Sequence, residues 1–493
     1  SRAAEEALGA AGLWGLAVPE ALGGSGCTLL ELAQTIAQVA AAAPTAAGML
    51  AVHSSIGAVA ALATFGTPEQ QARHLPGLAR GRPLSIFAAT EPEAGCDLHA
   101  VRSAITRDNG QILLTGTKMF ITGATYGRLA KVLATLDGRP AIAIVQLPDS
   151  DTPTFRLARY ALHPLKHAHN NALVFENFAL DAADLLTPPG GPSGDAMPIV
   201  WHGLNRGRVT LAAQAAGTLR ILKRQARDHA HARSTWGQPI ASRQLIQGRL
   251  ARMAASIVAC DSLYAWAAAA VDATSHWQGG ELEAMTAKII ASQCVRDAAI
   301  DALGVHGGRA FLVGHPLGDS FHDHFAVTVY EGESDLLGLA LFKGLCKLHP
   351  LAAKRAAPAP LRRAAEWLAW RVGKFAAGSG RADSSILDGR LRVHARRARR
   401  GLAACSLEID RALRRHGREL AERQLEIGAL SAAVRDLVSV LAVAHHTDSS
   451  ADEDVLPAAD CWCRLALARA LGRRLSAADH AAFGALGKSI AMG

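Results

Sequence analysis

Two blocks of this sequence combine a β-prone run with threonine and small residues, an arrangement that could cradle a flat heterocycle. Residues 87–97 read FAATEPEAGCD, and residues 116–124 read GTKMFITGA. In each block a strand-forming run leads into small or turn-forming residues, and the end of a strand exposes backbone N–H groups that can bind a ligand. Threonine and glycine are also common at ordinary strand ends. The prediction of a ligand site therefore depends on the other motifs of the chain.

Two further clusters could in principle bind a metal ion. His322-Asp323-His324 presents two imidazoles and a carboxylate, but no further ligand stands close to it, and a cofactor-facing or packing role is favoured. Cys461 and Cys463 are the only closely spaced cysteines, and no second Cys/His pair at ligand spacing follows, which argues against zinc. The eight cysteines are expected to be reduced.

Sequence periodicity predicts helices on both sides of a small β-domain. Apolar residues recur at three- and four-residue spacing from Glu5 to Leu78 and again from Met197 to Leu348. Short β-prone runs between them predict a small antiparallel sheet or barrel; they cover residues 85–90, 111–115, 118–122, 132–136, 141–146 and 172–175. The predicted fold class is mainly α with a central β-domain. The predicted domains are 1–84, 85–195, 196–349 and 350–493, and the last is a basic helical extension interrupted near Gly401 and Gly417.

The composition indicates a soluble globular protein. Half of the 493 residues are hydrophobic, and the longest apolar stretches, such as residues 263–271, are too short or too interrupted for a membrane span. No secretion signal is visible at the start, so a cytoplasmic location is expected. Residues 351–493 contain 24 lysines and arginines against 15 acidic residues, whereas the remainder is balanced. This excess predicts an acidic partner, a lipid surface or nucleic acid, or else a solvated helix face.

Six motifs in a fixed order resemble those of the acyl-CoA dehydrogenase family of flavoproteins. They are GTPEQQ to LPGLARG at residues 66–81, the two blocks described above, LNRGR at 204–208, RSTWGQPI at 233–240 and YEG at 330–332. The resemblance covers residues 5–348. It implies an N-terminal helical domain, a central β-barrel or sheet domain, a C-terminal four-helix bundle and an additional helical domain. It also implies an FAD-dependent oxidoreductase of fatty acid metabolism that acts on an acyl thioester.

The resemblance implies specific residues for FAD binding. Arg233 is similar to the arginine that reaches the FAD pyrophosphate of a neighbouring subunit, a role that suits its planar guanidinium. Because such a pocket is shared between chains, an obligate oligomer is expected. The expected contacts of the isoalloxazine ring are Phe87, Ala89, Thr90, Phe120 and Thr122, with Thr122 near N5. Further cofactor contacts are expected at Trp236, Gln244, Gly304 and Glu333.

Glu331 resembles the catalytic base of the family. The α-proton of a thioester is weakly acidic, so the carboxylate that removes it must be partly desolvated and still ionised when substrate arrives. The developing enolate is then stabilised by the backbone N–H of the base and a ribityl hydroxyl of FAD. The β-hydride is expected to pass to N5 of the flavin. The residues expected to bind substrate are Cys96, Asn205, Arg208, Tyr330 and Gly332.

Several positions depart from the family pattern. Asn205 stands where an acidic residue is usual, and Cys96 replaces a serine that commonly touches the thioester chain. Phe120 replaces a frequent tryptophan, Asp301 a usual glutamine, and Glu333 a usual threonine. None of these changes removes the base or the flavin-ring strands. They favour an unusual substrate, and both acyl-CoA and an acyl carrier protein are predicted candidates.

The C-terminal extension resembles in position and size the additional domain of the very-long-chain branch. This layout implies a homodimer and allows contact with a membrane surface. The expected electron acceptor is an electron-transferring flavoprotein. One alternative is a flavin-containing DNA-associated protein that uses the basic cluster at residues 396–400. Few aromatic residues interleave with that cluster, and Glu331 is retained, so binding of nucleic acid is disfavoured. Another alternative is an acyl-thioester oxidase.

Overall fold

The structure is a computed structural model that describes residues 2–273, 279–350, 360–378, 385–448, 450 and 455–492. Its internal contacts divide the chain into two compact units. Unit 1 comprises Ser1–Thr218, Ala267–Ala284 and Ser320–Glu331. Unit 2 comprises Leu219–Trp266, Met285–Asp319 and Gly332–Gly493.

Unit 1 begins with the helices that the periodicity predicts. Two of them start at capping boxes, in which Thr28 pairs with Glu31 and Thr67 pairs with Gln70, so the first backbone N–H groups are satisfied locally. Between the third and fourth helices the chain forms one π-helical turn, Val52–Ile56. The helices are α1 (Arg2–Ala10), α2 (Leu29–Ala40), α3 (Pro44–Ala51), α4 (Ala58–Phe65) and α5 (Pro68–Ala79).

A seven-stranded sheet follows. Its strands are β1 (Ser85–Ala88), β2 (Ala104–Asp108), β3 (Gln111–Ile121), β4 (Leu129–Leu136), β5 (Arg139–Gln146), β6 (Phe155–Arg159) and β7 (Asn171–Leu180). Their order is β1-β4-β2-β3-β7-β6, and β5 pairs with β4. The β1–β4 and β2–β4 pairs are parallel, so the prediction of an antiparallel sheet is wrong there. The chain between β1 and β4 is long enough for the crossover that parallel pairing needs.

Most of the predicted strands are present, and the differences concern β2, β3 and β6. The runs 111–115 and 118–122 form one strand, β3, whose pairing with β7 is irregular between Leu114 and Gly116 and between Lys118 and Ile121. Strands β2 and β6 were not predicted, because both are short and carry charged residues that dilute the apolar alternation. The turn at residues 109–110 joins β2 to β3 as a two-residue hairpin with positive φ at both positions.

The sheet of unit 1 has an apolar core on each face. On β4, Leu129 and Leu133 belong to the cluster that also contains residues of α4, α5 and the segment 196–204. Ala130, Val132 and Ala134 belong to the other cluster, with side chains of β3, β6 and β7. Successive strand residues face opposite sides of a sheet, and β4 follows this alternation throughout.

Long helices dominate the rest of the chain. They are α6 (Met197–Ala232), α7 (Gln244–Asp272), α8 (Glu281–His306), α9 (Pro316–Asp319), α10 (Phe321–Ala326) and α11 (Ser334–Lys347). The short strands β8 (Ser234–Thr235) and β9 (Gln238–Pro239) form a hairpin. The extension consists of α12 (Pro360–Gly378), α13 (Gly389–His416), α14 (Gln424–Thr447), α15 (Val455–Ala470) and α16 (Ala477–Met492).

Within unit 2 the extension packs on α11 through a glycine contact. Ser431 of α14 donates a hydrogen bond to the carbonyl oxygen of Gly338, at 2.8 Å. The predicted interruption at Gly401 is wrong, because α13 is continuous through it; a Cβ there would lie 2.8 Å from Leu437 of α14. That glycine permits close helix packing, whereas Gly417, with φ 51°, does end the helix.

Among the residues that the structure describes, three helical segments are long and apolar enough to cross a membrane by length and composition, contrary to the expectation from the sequence. They are Pro44–Phe65, Gln244–Asp272 and Gln424–Thr447. Between 50% and 67% of each apolar window is buried inside the protein. Because they also carry core contacts, their hydropathy alone does not separate a spanning helix from a buried one.

Candidate active site

Glu331 lies in the turn between α10 and α11, and its backbone adopts φ 58°. A non-glycine residue rarely adopts this left-handed conformation, which concentrates at functional sites. The backbone carbonyl of Glu331 accepts a hydrogen bond from Nε of Arg208, at 3.4 Å. The carboxylate lies against α6, where a Cβ on Gly207 would be 2.7 Å from its Oε2. Glycine at this position therefore leaves the space that the carboxylate occupies.

Arg208 is buried beside Glu331 and also binds Asn205. Its Nη1 donates to Oδ1 of Asn205 at 2.9 Å, one turn earlier on α6. Burial lowers the pKa of Arg208, and the negative charges of Glu331 and Glu281 oppose that effect. The structure thus brings together three of the predicted residues, Asn205, Arg208 and Glu331. A neutral Asn205 can hold the guanidinium without neutralising it, so the charge remains available next to the base.

Several ionisable residues precede Glu331 in the same segment. Burial raises the pKa of Tyr330, and the charges of Glu331 and Asp323 raise it further, so its hydroxyl stays protonated. Asp323 accepts a hydrogen bond from the backbone N–H of Leu165. His324 is buried, and burial lowers its pKa to about 4. In the described part of the chain no group of three or more potential metal ligands occurs.

The end of β3 presents the second predicted block. Phe120 has φ 59°, and half of its side chain is exposed, at 49%. Its backbone N–H donates to the Tyr160 hydroxyl at 2.6 Å, and that hydroxyl donates to Asn170 at 2.9 Å. The Asn170 amide in turn donates to Oγ1 of Thr122, at 3.2 Å. Tyr160 and Asn170 thereby fix the orientation of both Phe120 and Thr122, a role that the motif comparison did not reveal.

The first predicted block joins β1 to the same region of unit 1. Phe87 lies on β1 and is half-buried, directly opposite Lys131 of β4. The carbonyl of Thr90 accepts a hydrogen bond from the N–H of Met119, at 2.9 Å, which links the first block to the second. Ala89 is buried, and Cys96 is exposed in the following turn.

The RSTWG block forms the β8–β9 hairpin of unit 2. Trp236 has φ 49° and is 90% exposed, with Arg243 lying 5.6 Å from its ring centre. Arg233 and Gln244 are exposed as well. Arg243 donates to the carbonyl of Thr235 at 2.8 Å, which holds the hairpin to the start of α7. An exposed tryptophan and arginine on a fixed hairpin can both be reached by a ligand or a second chain.

Family models match most of the chain. The N-terminal, middle and C-terminal domains of acyl-CoA dehydrogenase match residues 1–82, 86–178 and 195–345. An acyl-CoA dehydrogenase of Bacillus subtilis (strain 168) is 33% identical over 342 residues, which are 69% of this chain and 88% of that protein. The chain belongs to the acyl-CoA dehydrogenase family. It is therefore an oxidoreductase of a family that dehydrogenates acyl-CoA with a flavin.

The C-terminal extension also has counterparts in this family. The mitochondrial very long-chain specific acyl-CoA dehydrogenase of Bos taurus is 27% identical over 487 residues, 93% of this chain and 72% of that protein. A crystal structure of acyl-CoA dehydrogenase complexed with FAD from Bacillus anthracis superposes with a TM-score of 0.81, covering 99% of this chain and 88% of that one at 20% identity. The extra helices are thus part of a known architecture of acyl-CoA dehydrogenases.

The residues of this dehydrogenase fit FAD, the cofactor of the family. The exposed ring of Phe120 and the hydroxyl of Thr122 stand at one strand end in unit 1. Because Thr122 Oγ1 accepts from Asn170, its own O–H can donate to a ring nitrogen. In unit 2, Arg233 offers an exposed guanidinium suited to a pyrophosphate.

Two predicted cofactor residues of unit 2 have other partners in the structure. Glu333 caps α11, where its carboxylate accepts from the N–H groups of Asp335 and Leu336 at 2.9 and 3.0 Å. Gly304 lies directly against the guanidinium of Arg249, which leaves no room for a Cβ. Gly332 accepts a hydrogen bond from Lys288 at 2.6 Å, immediately after the base.

Asp301, which stands where the family usually has glutamine, is also engaged locally in unit 2. It binds Arg252 through two hydrogen bonds of 2.8 and 2.7 Å. This departure therefore has a structural partner of its own, and the paired charges compensate each other without a ligand.

A buried ion pair behind the flavin-ring strands was missed by sequence reasoning. Nζ of Lys118 lies 2.7 Å from Oε1 of Glu91, with side-chain exposures of 0% and 6%. Lys118 also donates to the carbonyl of Ala89, at 3.0 Å. Lys118 is an isolated lysine in a β-strand, a signal that could have raised the question of a buried partner. The pair joins the first predicted block to the second.

Proposed function

We propose that this chain catalyses the FAD-dependent α,β-dehydrogenation of an acyl thioester with Glu331 as the base. The observation that carries the proposal is the position of the Glu331 carboxylate. It lies against the side-chain-free face of α6 at Gly207, in a left-handed turn that Arg208 holds by its carbonyl. A carboxylate on a fixed main chain, beside a helix surface without side chains, is positioned to meet a substrate α-carbon.

The chain's own groups account for binding and proton transfer. The Glu331 carboxylate takes the α-proton, and its backbone N–H donates to the thioester oxygen, where negative charge develops. Arg208 steadies the backbone at Glu331 by donating a hydrogen bond to its carbonyl oxygen. Phe120 and Thr122 orient the ring of the cofactor. FAD, when bound, supplies the acceptor for the β-hydride.

The proposal is tested by anaerobic reduction of the bound flavin. Bleaching of the visible flavin absorbance is followed with a panel of acyl-CoA thioesters, for the wild-type enzyme and for Glu331→Gln. Loss of a general base should slow bleaching by about a hundred- to ten-thousandfold. The matched control is Glu419→Gln, the same change at an exposed position of the extension, which should bleach like the wild type. A Glu331→Gln enzyme that keeps its flavin and bleaches at the wild-type rate would overturn the proposal.

The acyl carrier protein is proposed as a carrier besides CoA. Asn205 replaces the usual acidic residue and is occupied by Arg208, and Cys96 is an exposed thiol in place of serine. Both changes alter contacts expected for the thioester arm. The test compares the rates of flavin bleaching by the same acyl group on CoA and on acyl carrier protein. The proposal of a carrier-protein substrate is excluded if the acyl carrier protein reacts no faster than the CoA ester.

A homodimer that passes electrons to an electron-transferring flavoprotein is proposed as the working form. Exposed apolar side chains of unit 2 support a second copy as partner; they are Trp236, Leu245, Phe311, Leu312 and Val313. Light scattering should give twice the chain mass, and a tetramer would refute the dimer. Peroxide formation in air without an added acceptor would instead indicate an oxidase.

A further inference from the structure

Lys131 is a fully buried lysine in the middle of an apolar strand. It lies on β4 between Leu129 and Leu133, on the face that packs toward the helices of unit 1. Its side chain has 0% exposure. Among the residues that the structure describes, its amine has no hydrogen-bond partner. Such a group in a native fold requires an explanation.

The position of this amine is energetically costly. Burial lowers the pKa of Lys131 to about 7, because the charged form loses its hydration. The ring of Phe87 lies 4.2 Å from Nζ and offsets part of that cost through a cation–π contact. A methionine of similar shape would occupy the site without this penalty. A lysine here is therefore explained by a ligand rather than by packing.

The amine lies on the same helix face as the catalytic base. A Cβ on Gly203 would be 2.7 Å from Nζ of Lys131, just as a Cβ on Gly207 would be 2.7 Å from Oε2 of Glu331. Positions four apart on a helix lie one above the other, about 6 Å apart along the axis. Ile56 lies close to both glycine positions.

Two more buried polar groups stand next to Ile56. The hydroxyls of Ser54 and Ser55 have, within the described ranges, no hydrogen-bond partner, and both residues have 0% exposure. They belong to the π-helical turn Val52–Ile56, and such turns are frequent at functional sites. The amine of Lys131 and two hydroxyls of the turn that contains Ile56 thus have unused hydrogen-bonding capacity.

We propose that Nζ of Lys131 binds a carboxylate carried by the acyl chain of the substrate. The proposal rests on the proposed dehydrogenation and names its substrate class as thioesters of dicarboxylic acids. With the α-carbon at Glu331, the chain runs along the glycine face of α6 and moves the Ile56 side chain aside. The distal carboxylate then receives a charge-assisted hydrogen bond from Lys131 and further hydrogen bonds from the serine hydroxyls.

The experiment compares the holoenzyme with Lys131→Met on matched pairs of thioesters. The charged members are glutaryl, adipyl and suberyl monothioesters, and each is paired with the neutral straight-chain thioester of the same length. KM and kcat are measured by flavin bleaching, and unfolding temperatures are measured without ligand. Lys131→Gln, which keeps a donor without the charge, is the second variant.

The wild type should prefer one charged thioester over its neutral partner, and Lys131→Met should lose that preference by about a hundredfold, mainly in KM. Neutral thioesters should react alike in both enzymes. Lys131→Met should also unfold at a higher temperature, since the buried amine is gone. A wild type without preference for any charged thioester would overturn the proposal. A Lys131→Met enzyme that keeps the preference would do the same and would leave the lysine a structural residue.

Failure of the proposed function gives a different result. If no thioester of either kind reduces the flavin, dehydrogenation is wrong, and the subsite is then judged by binding alone. The charged thioester must raise the unfolding temperature of the wild type by more than its neutral partner does, and Lys131→Met must lose that difference. An equal effect on both proteins would reject the subsite.

Discussion

The Glu91–Lys118 ion pair predicts a large and local effect of a single amide substitution. In Glu91→Gln the charge of Lys118 remains buried without its partner 2.7 Å away. The same carboxylate also accepts hydrogen bonds from the backbone N–H groups of Arg102 and Ser103, at 2.7 and 2.9 Å. With the Lys118 amine, these make three donors, and at least one of them would face the new amide NH₂. Breaking one side of a buried pair costs about 3–5 kcal/mol. The loss here should lie at the upper end of that range.

The pKa of Glu91 supports this reasoning. Burial alone would raise its pKa, but the hydrogen bonds from Lys118, Ser103 and Arg102 outweigh burial and lower it. A carboxyl with a lowered pKa contributes stability above its ordinary titration range and loses it as the pH falls through the lowered value. The pair therefore stabilises the folded state throughout the neutral range.

Hydrogen exchange of peptides covering residues 85–121 is the appropriate assay, because a chain with several units does not unfold in one step. Exchange governed by opening of these strands should become about a thousandfold faster or more in Glu91→Gln. Lys118→Met combined with Glu91→Gln should recover part of the loss, since no buried charge remains. Asp137→Asn, which breaks the exposed pair of Arg107 with Asp137 at 3.8 Å, is the control and should change stability by less than about 1 kcal/mol. Unchanged exchange in Glu91→Gln would refute the reasoning. So would a double variant whose loss of stability equals the sum of the losses in Glu91→Gln and Lys118→Met alone.

Three further predictions concern other parts of the chain. Gly207→Ala should slow flavin reduction by about a hundredfold while flavin content is retained, because its Cβ would displace the Glu331 carboxylate; a wild-type rate would contradict the position of the base. Unit 1 should lose up to about 3 kcal/mol as the pH falls from 6.5 toward 4, because burial lowers the pKa of His53 to about 4 and the unfolded chain binds the proton first. Unfolding measured across this range, with His53→Gln expected to flatten the dependence, checks the assignment. Asp410→Asn should lower the stability of the extension by about 1–3 kcal/mol and speed its proteolysis. The reason is that buried Asp410 accepts hydrogen bonds from the Trp367 indole at 2.7 Å and from Arg414 at 3.1 Å. Digestion at the wild-type rate would show that these hydrogen bonds do not stabilise the extension.

The sequence predicted the helices and most strands because each depends on a local pattern. Strands β2 and β6 were not predicted, because a run of only five residues that includes charged side chains does not produce a clear alternation of apolar and polar residues. The parallel pairing of β4 also escaped, since strand direction depends on the path of the whole connection and not on any one run. Gly401 was misjudged for a related reason: a glycine that breaks a helix and one that admits a neighbouring helix look the same in sequence.

For the site, the motif order placed Glu331, Arg208 and Asn205 correctly as neighbours in space. Their roles in catalysis stay predictions. Lys131 was overlooked because a lysine in a strand is ordinarily a solvent-facing residue, and only the packing of α6 over β4 shows that it is buried. The Tyr160–Asn170 chain was overlooked because its hydrogen bonds join different strands and loops.

The two glycines of α6 mean that main chain, rather than side chains, forms one wall beside the base. Such a surface cannot rearrange by rotamer changes, so its shape should stay constant from one substrate to the next. Variation in what the enzyme accepts must then come from the opposite wall, from positions such as Ile56 and Lys131. Libraries for changing specificity should diversify those positions and keep residues 203 and 207 fixed, since any side chain there would displace Lys131, Ile56 or the Glu331 carboxylate.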